Sequence, residues 1–549
     1  MRTWPIAALV FVLAAGVHAR SVGFGFLDFD DTRFILAPEV VRAPSLHGVG
    51  DVLMKPVWGS YHPLHILSYS VDSLVFGMER PWGFHLTNVL LFGCCAALVV
   101  YVARSYGCSL RGAALAGVFF AVHPSHVESV AWLSGRKDVL SGFFLLLAVL
   151  SRERTKVAFV FIVLALASKT TAAVFAPFLL LEARLSRSSY WRVVPFLVVA
   201  AVWLAIEAAA QKTVGGVKPL HEGALGQVGI VVKSLAWYPV RFFFPHGLSP
   251  HPTLDGSVLV SLCVLSVALV LAFVNVRYTR AVGFFFLALL PVSNVVPLAN
   301  AVQDRYLFLP SIAAVCVVGE LLARKKWRVV IAALFAAFLA RETWRYELTW
   351  QSDEVLWRHA IAVEPDAPFP HLALAAEYAE QRRLDEAASQ AALAVLTPGG
   401  GALALVTLAQ IQEARGRHDL ADHELEVAEI SFRDSAITVL RIRLSVQHRD
   451  ALAARSLLSV LERTSVEVAS LHRARAYVAQ VENNLSLAER EYLAAESELD
   501  QDDWLTLAAI ERRLGRDDMA QLAVRRALAM DSSLRARLAT DTLLGPLLR

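Results

Sequence analysis

Directly after the first apolar run the sequence reads Asp28-Phe29-Asp30-Asp31, three carboxylates in four residues. Ionised carboxylates are too costly to leave in hydrocarbon, so this knot must look into water or a polar cavity at a membrane face. The chemistry it offers there is that of a base. A second cluster, HPSHVESVAWLSGRKD from His123 to Asp138, crowds His123, His126, Glu128, Arg136, Lys137 and Asp138 between two apolar runs. A solvated loop with a helix cap at Asp138 would account for the charges alone. A metal set of His123, His126 and Glu128 is conceivable by residue type, but Pro124 and the lack of an i, i+4 histidine pair make it weak. Lys169, in Ala-Ser-Lys-Thr-Thr, either snorkels to the interface or meets a phosphate as a point charge on a flexible stem. In Asp304-Arg305-Tyr306 the guanidinium can hold phosphate oxygens bidentately and the tyrosine suits an interface; the alternative is an Asp304 to Arg305 ion pair that only fixes the start of a span.

The elements that must position these groups are membrane helices. With 56% hydrophobic and 18% charged residues and a mean hydropathy of +0.50, the 549-residue chain is too apolar for an ordinary soluble protein of its size. Lys and Arg are dispersed between apolar runs, which excludes a nucleic-acid face despite the net charge of +3. The five cysteines have neither paired nor metal-ligand spacing. Apolar runs at 4–20, 85–103, 112–123, 138–150, 157–168, 172–183, 193–210, 256–274, 281–298, 305–322 and 328–342 predict about eleven spans, counting short runs as buried in the bundle. The run at 4–20 resembles a cleavable signal peptide but is expected to remain as an anchor. Basic residues fall in alternate loops, around Arg104 and Arg111, Arg152 to Lys156, Arg184 to Arg192, Arg277 and Arg280, and Arg324 to Arg328. Those loops are read as cytoplasmic, so residues 21–84, 123–137 and 211–255 and everything after 343 are expected outside. The segment 227–244, which carries Lys233 and Arg241, is read as interfacial.

After Arg341 the composition turns to Ala, Leu, Glu and Arg, with a period near 34 residues, the tetratricopeptide signature. Trp504, Ala508, Gly515, Ala520 and Ala527 mark the clearest copy; Tyr378, Ala387, Ala391 and Ala394, and Ala409, Gly416, Ala421 and Ala428, mark earlier ones. Weaker copies surround Ala454 and Ala488 to Ala495. The fold predicted is all-α: a polytopic bundle over 1–342, then a repeat solenoid over 343–549 whose groove binds a polypeptide or a partner protein.

Taken together these residues resemble the transmembrane and tetratricopeptide repeat-containing family of O-mannosyltransferases, glycosyltransferases of the type C fold. The resembling pieces are Phe29-Asp30-Asp31-Thr32, Pro63-Leu64 with Ser68, Trp82 to Asn88, HPSHVESVAWLSGRKD, Ser168-Lys169, Asp304 to Pro310 and the repeats. The chain departs from the family at His62, where relatives commonly carry arginine, and at Thr170. The resemblance implies transfer of a sugar, mannose in the family, from a polyprenyl phosphate to a Ser or Thr hydroxyl of an extracytoplasmic protein, by a multi-pass protein of a bacterial inner membrane or its equivalent. In that reaction a carboxylate takes the hydroxyl proton, with Asp30 expected as base and Asp31 orienting it or the acceptor. Arg305 and Lys169, then Arg136, with Tyr306, would receive the departing phosphate. His123, His126, Glu128, His62 and Asp304 would shape the sugar and acceptor pocket. A single displacement inverts the anomeric carbon and needs no metal, though the acidic cluster leaves room for a divalent ion.

Two other function classes compete. A non-catalytic scaffold recruiting partners for envelope assembly would depend on residues 343–549 and tolerate loss of Asp30. A transporter of lipid-linked sugar would want its ionisable groups at mid-membrane, whereas here they gather at one face. A lipid or glycan acceptor would keep the enzyme and change its substrate.

Overall fold

The structure, a computed structural model, describes residues 3–548 apart from 188, 213–222, 255, 299, 433, 464, 465 and 531–533. Residues 213–222 of the expected outer region 211–255 therefore lie outside the described residues. Among the described residues the chain is helical, with one isolated β-bridge between Val57 and Ser60. It divides into two compact units, Met1–Pro365 and Asp366–Arg549. The boundary falls later than the residue 342 that composition suggests. The helix Lys326–Glu347 runs past the end of the apolar stretch, and Leu356, Trp357 and Ala360 beyond it are buried.

The longer helices of the first unit are α1 (Trp4–Val17), α2 (Pro63–Phe76), α3 (Pro81–Ser105), α4 (Leu110–Val122), α5 (Arg136–Leu150), α6 (Thr155–Ser168), α7 (Phe175–Ser186), α8 (Val194–Lys212), α9 (Ala224–Phe243), α10 (Val258–Val274), α11 (Val276–Leu289), α12 (Phe308–Ala323), α13 (Lys326–Glu347) and α14 (Asp353–Val363). Their ends follow local chemistry. Pro63 and Pro81 open α2 and α3 at positions where the missing N–H costs nothing. The Ser109 hydroxyl accepts from Gly112 N–H at 3.0 Å to cap α4, which stops ahead of Pro124. The expected run 281–298 is helical only to Leu289 before a short 3-10 turn, because Pro291 cannot continue the α-helical ladder.

Among the described residues three helical stretches, Pro81–Ser105, Tyr190–Lys212 and Asp304–Ala323, are long and apolar enough to cross a membrane; Trp4–Val17, Leu110–Val122, Thr155–Ser168 and Val258–Val274 are apolar but shorter. Outward faces are apolar too, with Leu259, Val270 and Phe273 exposed on α10 and Leu334 on α13. Such a surface suits hydrocarbon better than water.

The bundle closes where small residues let backbones approach. Gly112 and Ala116 on α4 meet Gly319 on α12, and a Cβ on Gly319 would lie 2.5 Å from the Gly112 carbonyl oxygen and 2.7 Å from Ala116 N. This is the small-residue packing by which apolar helices associate when no hydrophobic force distinguishes helix from lipid.

The second unit is a run of helix pairs, from Pro368–Glu380 with Leu384–Leu396 to Gln501–Arg513 with Asp517–Met530. The small residues expected at the contacts, Ala387, Ala391, Ala394, Ala409, Ala421, Ala428, Ala454, Ala488, Ala508, Ala520 and Ala527, are buried, as are Tyr378, Tyr492 and Trp504. Each pair turns through one left-handed residue, at Arg382, Gly416, Arg449, Asn483 and Gly515. Those positions recur every 32 to 34 residues, so the backbone carries the tetratricopeptide period even where the sequence has no glycine to announce it.

The α4 and α12 crossing yields a prediction. Gly319→Ala places its methyl group against backbone that cannot yield, and overpacking of this kind costs about 1–3 kcal/mol. The thermal midpoint of the detergent-solubilised protein falls accordingly, and an unchanged midpoint would refute the close crossing.

Candidate functional site

The ionisable residues singled out above gather at the end of the first unit where α5 and α12 begin and α6 ends. Asp31 builds the frame. Its carboxylate, 1% exposed, accepts hydrogen bonds from Leu27 N–H at 3.0 Å, Ser134 N–H at 2.9 Å and the Ser134 hydroxyl at 2.6 Å. Beside it the Trp132 indole N–H donates to the Phe29 carbonyl at 2.6 Å, and the two rings stack at 5.0 Å. Asp28 N–H donates to the Asp353 carboxylate at 3.1 Å, at the head of α14. Asp31 is thus a positioning group, with its donors satisfied inside the protein.

So clamped, the chain passes Asp30 with φ +72°, a left-handed conformation that aspartate tolerates better than most residues. The Asp30 carbonyl accepts from Arg33 and Phe34 N–H at 3.1 and 3.0 Å and starts the next helical turn. Its carboxylate stays 28% exposed, 3.6 Å from the solvent-facing Arg33.

Three cations converge with Asp30. Lys169 lies 2.5 Å from Asp138, with its ammonium 5.4 Å from the Tyr306 ring centroid. The Arg305 guanidinium pairs with Glu128, whose other oxygen accepts from Arg305 N–H at 2.9 Å, and it sits 5.0 Å from the Trp132 ring. Lys137 completes the group: its charged neighbours are Asp30, Arg305, Lys169 and Asp138, and it lies 5.2 and 5.4 Å from the Phe34 and Trp132 rings. Among the described residues no carboxylate reaches ion-pair distance of the Lys137 ammonium, which makes it the cation left for an incoming anion.

Lys137 stands in the cluster noted from sequence but was given no role there; its neighbour Arg136 was assigned to phosphate. Consecutive helical residues point about 100° apart, so only one of the two can face the chamber, the space bordered by Asp30, Lys169 and Arg305. Arg136 faces the core. It is 0% exposed and bound to Asp72 at 2.5 Å, Asn88 at 2.6 Å and the Phe84 carbonyl at 2.8 Å, which corrects its expected role toward phosphate.

The histidines are corrected in the same way. Both ring nitrogens of His123 are engaged, by Ser125 at 2.7 Å and the Phe242 carbonyl at 2.9 Å, and both of His126, by the Phe120 carbonyl at 2.8 Å and Ser311 at 3.0 Å. Neither ring has a nitrogen left for a sugar or a metal. Asp304 is 0% exposed and pairs with Arg241 at 2.9 Å, not with Arg305. His62 remains at the chamber's edge, 3.1 Å from the Thr170 hydroxyl and 3.8 Å from Glu207, which itself accepts from Tyr61 N–H at 2.8 Å. Burial, with Lys137 and Lys169 nearby, lowers His62 to about 3, so it cannot supply the positive charge of an arginine. Glu128, fully buried, is pushed up to about 7 by desolvation against the pull of Arg305. Glu207 lies inside the apolar run 193–210, where an ionisable residue is itself a signal.

Burial raises Asp31 to about 7, against the pull of its donors from Leu27 and Ser134. The fold therefore favours the protonated form more than the unfolded chain does. Its contribution to stability is full below the ordinary aspartate value near 4 and is lost as pH rises through about 7. Asp31→Asn faces an amide toward a buried N–H and costs about 1–3 kcal/mol. Thermal melts at a series of pH values should show a gap between wild type and variant that narrows from pH 4 to pH 8; a gap that widens would contradict this.

No family model matches the chain. Among curated proteins, it is 40% identical over 159 residues to protein O-mannosyl-transferase Tmtc1 of Drosophila melanogaster, a match covering 27% of this chain and 18% of the relative. It is 40% identical over 155 residues to Tmtc2 of the same organism, covering 27% and 16%, and 32% identical over 155 residues to TMTC4 of Homo sapiens, covering 24% and 20%. The match thus spans a fifth or less of these relatives' length. Of solved structures, the APC/C hetero-tetramer Cut9-Hcn1 aligns over 91% of this chain and 94% of that one at 12% identity, with a TM-score of 0.28, too low to bear on the fold. Over the matched stretch the chain is similar to the transmembrane and tetratricopeptide repeat-containing O-mannosyl-transferases, the family that its acidic knot and its HPSHVESVAW and GRKD blocks resemble.

Proposed function

We propose that this protein is a multi-pass membrane glycosyltransferase that moves a sugar, taken to be mannose from the names of its relatives, from a polyprenyl-phosphate donor to a Ser or Thr hydroxyl of a protein outside the cytoplasm. The observation that carries the reading is the convergence of an accessible carboxylate, Asp30, with an ammonium, Lys137, that rests against the Phe34 and Trp132 rings without an ion-pair partner among the described residues. A base and a phosphate-binding cation are the two groups such a transfer requires.

In this reading Asp30 takes the acceptor's proton as the hydroxyl oxygen bonds to the anomeric carbon. The bond from that carbon to the phosphate oxygen breaks, and the lipid phosphate leaves with both electrons. Its charge is met by Lys137, with Arg305 and Lys169 adding field from their ion pairs and Tyr306 beneath them. Oxygen enters on the face opposite the departing phosphate, so the configuration inverts. The chemistry asks for no metal. Glu128 holds Arg305 by a two-point contact, and the repeats of the second unit bind the acceptor polypeptide. The distribution of basic loops supports an extracytoplasmic position for this site.

The test is transfer of labelled mannose from polyprenyl phosphate mannose to a pool of secreted proteins by the purified full-length protein. Asp30→Asn is expected to lower the rate about 100- to 10,000-fold, the usual worth of a positioned base. Its thermal midpoint should stay near wild type, since the side chain bears no load in the fold. Equal labelling by the two proteins would remove Asp30 from the mechanism. Lys137→Gln should raise the donor KM about tenfold or more, as loss of a charged contact implies, with the acceptor KM unmoved. An unchanged donor KM would take Lys137 out of the phosphate site.

A further inference from the structure

At the opposite end of the first unit the helices part around a cavity of about 160 Å³. Along α12 it begins near Ile312 and reaches Arg324, whereas Arg305 in the candidate site precedes the same helix. At a rise of 1.5 Å per residue, Glu320 lies roughly 22 Å from Arg305. The two sites are separate.

The walls are apolar, built from Leu145 and Val149 of α5, Phe178 of α7, Phe284 of α11 and Ile312 of α12. The mouth is cationic. Arg277 and Arg324 line it, both are exposed, and among the described residues neither guanidinium has a hydrogen-bond or ion-pair partner. Arg280 also lines the mouth but is paired with Glu182 at 3.0 Å. Glu320 is the other carboxylate there, and it accepts from Ser109 N–H at 2.7 Å and the Ser109 hydroxyl at 2.9 Å. Arg152, outside the lining, donates to the Val149 carbonyl at 3.0 Å and lies 4.7 Å from the ring of Tyr106. Tyr106 itself lines the wall, and its buried hydroxyl lacks a hydrogen-bond partner among the described residues.

An apolar slot with uncompensated guanidinium groups at its rim complements one kind of molecule, an amphiphile whose chain is hydrocarbon and whose head is an anion. Guanidinium groups match phosphate oxygens in pairs. We propose that this cavity seats a phospholipid with an anionic headgroup, its phosphate held by Arg277 and Arg324 and one acyl chain between α5, α11 and α12. Its distance from Arg305 separates this lipid from the sugar donor. The lipid would brace α11 against α5 and α12, and the inference stands whether or not the chain transfers sugar.

The experiment is native mass spectrometry of the detergent-solubilised full-length protein with added phosphatidylglycerol, phosphatidylcholine or polyprenyl phosphate. Wild type should retain phosphatidylglycerol at least fivefold over phosphatidylcholine, at one molecule per chain. Arg277→Gln/Arg324→Gln should abolish that preference, while Arg154→Gln/Lys156→Gln, which changes exposed charges at the start of α6 outside the cavity lining, should keep it. Ala313→Phe, filling the slot, should lower retention with the rim intact. Equal retention of the two phospholipids, equal loss in both charge variants, or displacement of phosphatidylglycerol by equimolar polyprenyl phosphate would overturn the proposal.

Discussion

A buried carboxylate with three donors ties together two loops more than a hundred residues apart. Asp31 draws Leu27 and Ser134 onto itself, and the Trp132 indole locks Phe29 alongside. Everything at the candidate site depends on this clamp. It turns the chain through the left-handed conformation at Asp30, so that one of two adjacent aspartates is spent on structure while the other is left open. Ser134 lies just ahead of α5, so the same clamp sets where Lys137 and Asp138 project.

Charge in this region is divided by a simple rule. A buried cation without a counter-charge is expensive, so most of the cations are paired: Arg136 with Asp72, Arg241 with Asp304, Lys169 with Asp138 and Arg305 with Glu128. The first two pairs hold helices and loops in place. The last two border the chamber and tilt its field positive only in company with Lys137. Its ammonium rests against aromatic faces, which stabilise a cation without neutralising it. A chamber built this way is poised for an anion and lacks the strong acid partner that would fill it in advance.

Much of this was legible in the sequence. Apolar runs bounded by prolines and basic loops located most helices to within a few residues, and the alanine spacing located the repeats. Asp30, Lys169 and Arg305 were legible because ionisable residues at the ends of apolar spans need a reason to be there. What could not be read was orientation within a helix or loop. Arg136 and Lys137 are equal in composition, and only the helical rotation decides which meets Asp72 and which the chamber. His123 and His126 look like ligands until the carbonyls of Phe242 and Phe120 are seen to occupy them. Asp304 and Arg305 look like a pair, yet each finds a partner far along the chain. The αL turns at Arg382, Arg449 and Asn483 hide in the sequence for a related reason: the backbone there is dictated by the helices on either side, not by a glycine.

The claim at the centre is that a lipid-linked sugar phosphate is received where Asp30 and Lys137 meet. A density map of the full-length protein bound to an unreactive polyprenyl phosphonate sugar tests it most directly. The account predicts the phosphonate beside Lys137 and Arg305, with the anomeric carbon facing the Asp30 carboxylate across a gap wide enough for a hydroxyl. A phosphonate seated elsewhere, with Asp30 turned toward bulk water and Lys137 untouched, would contradict it.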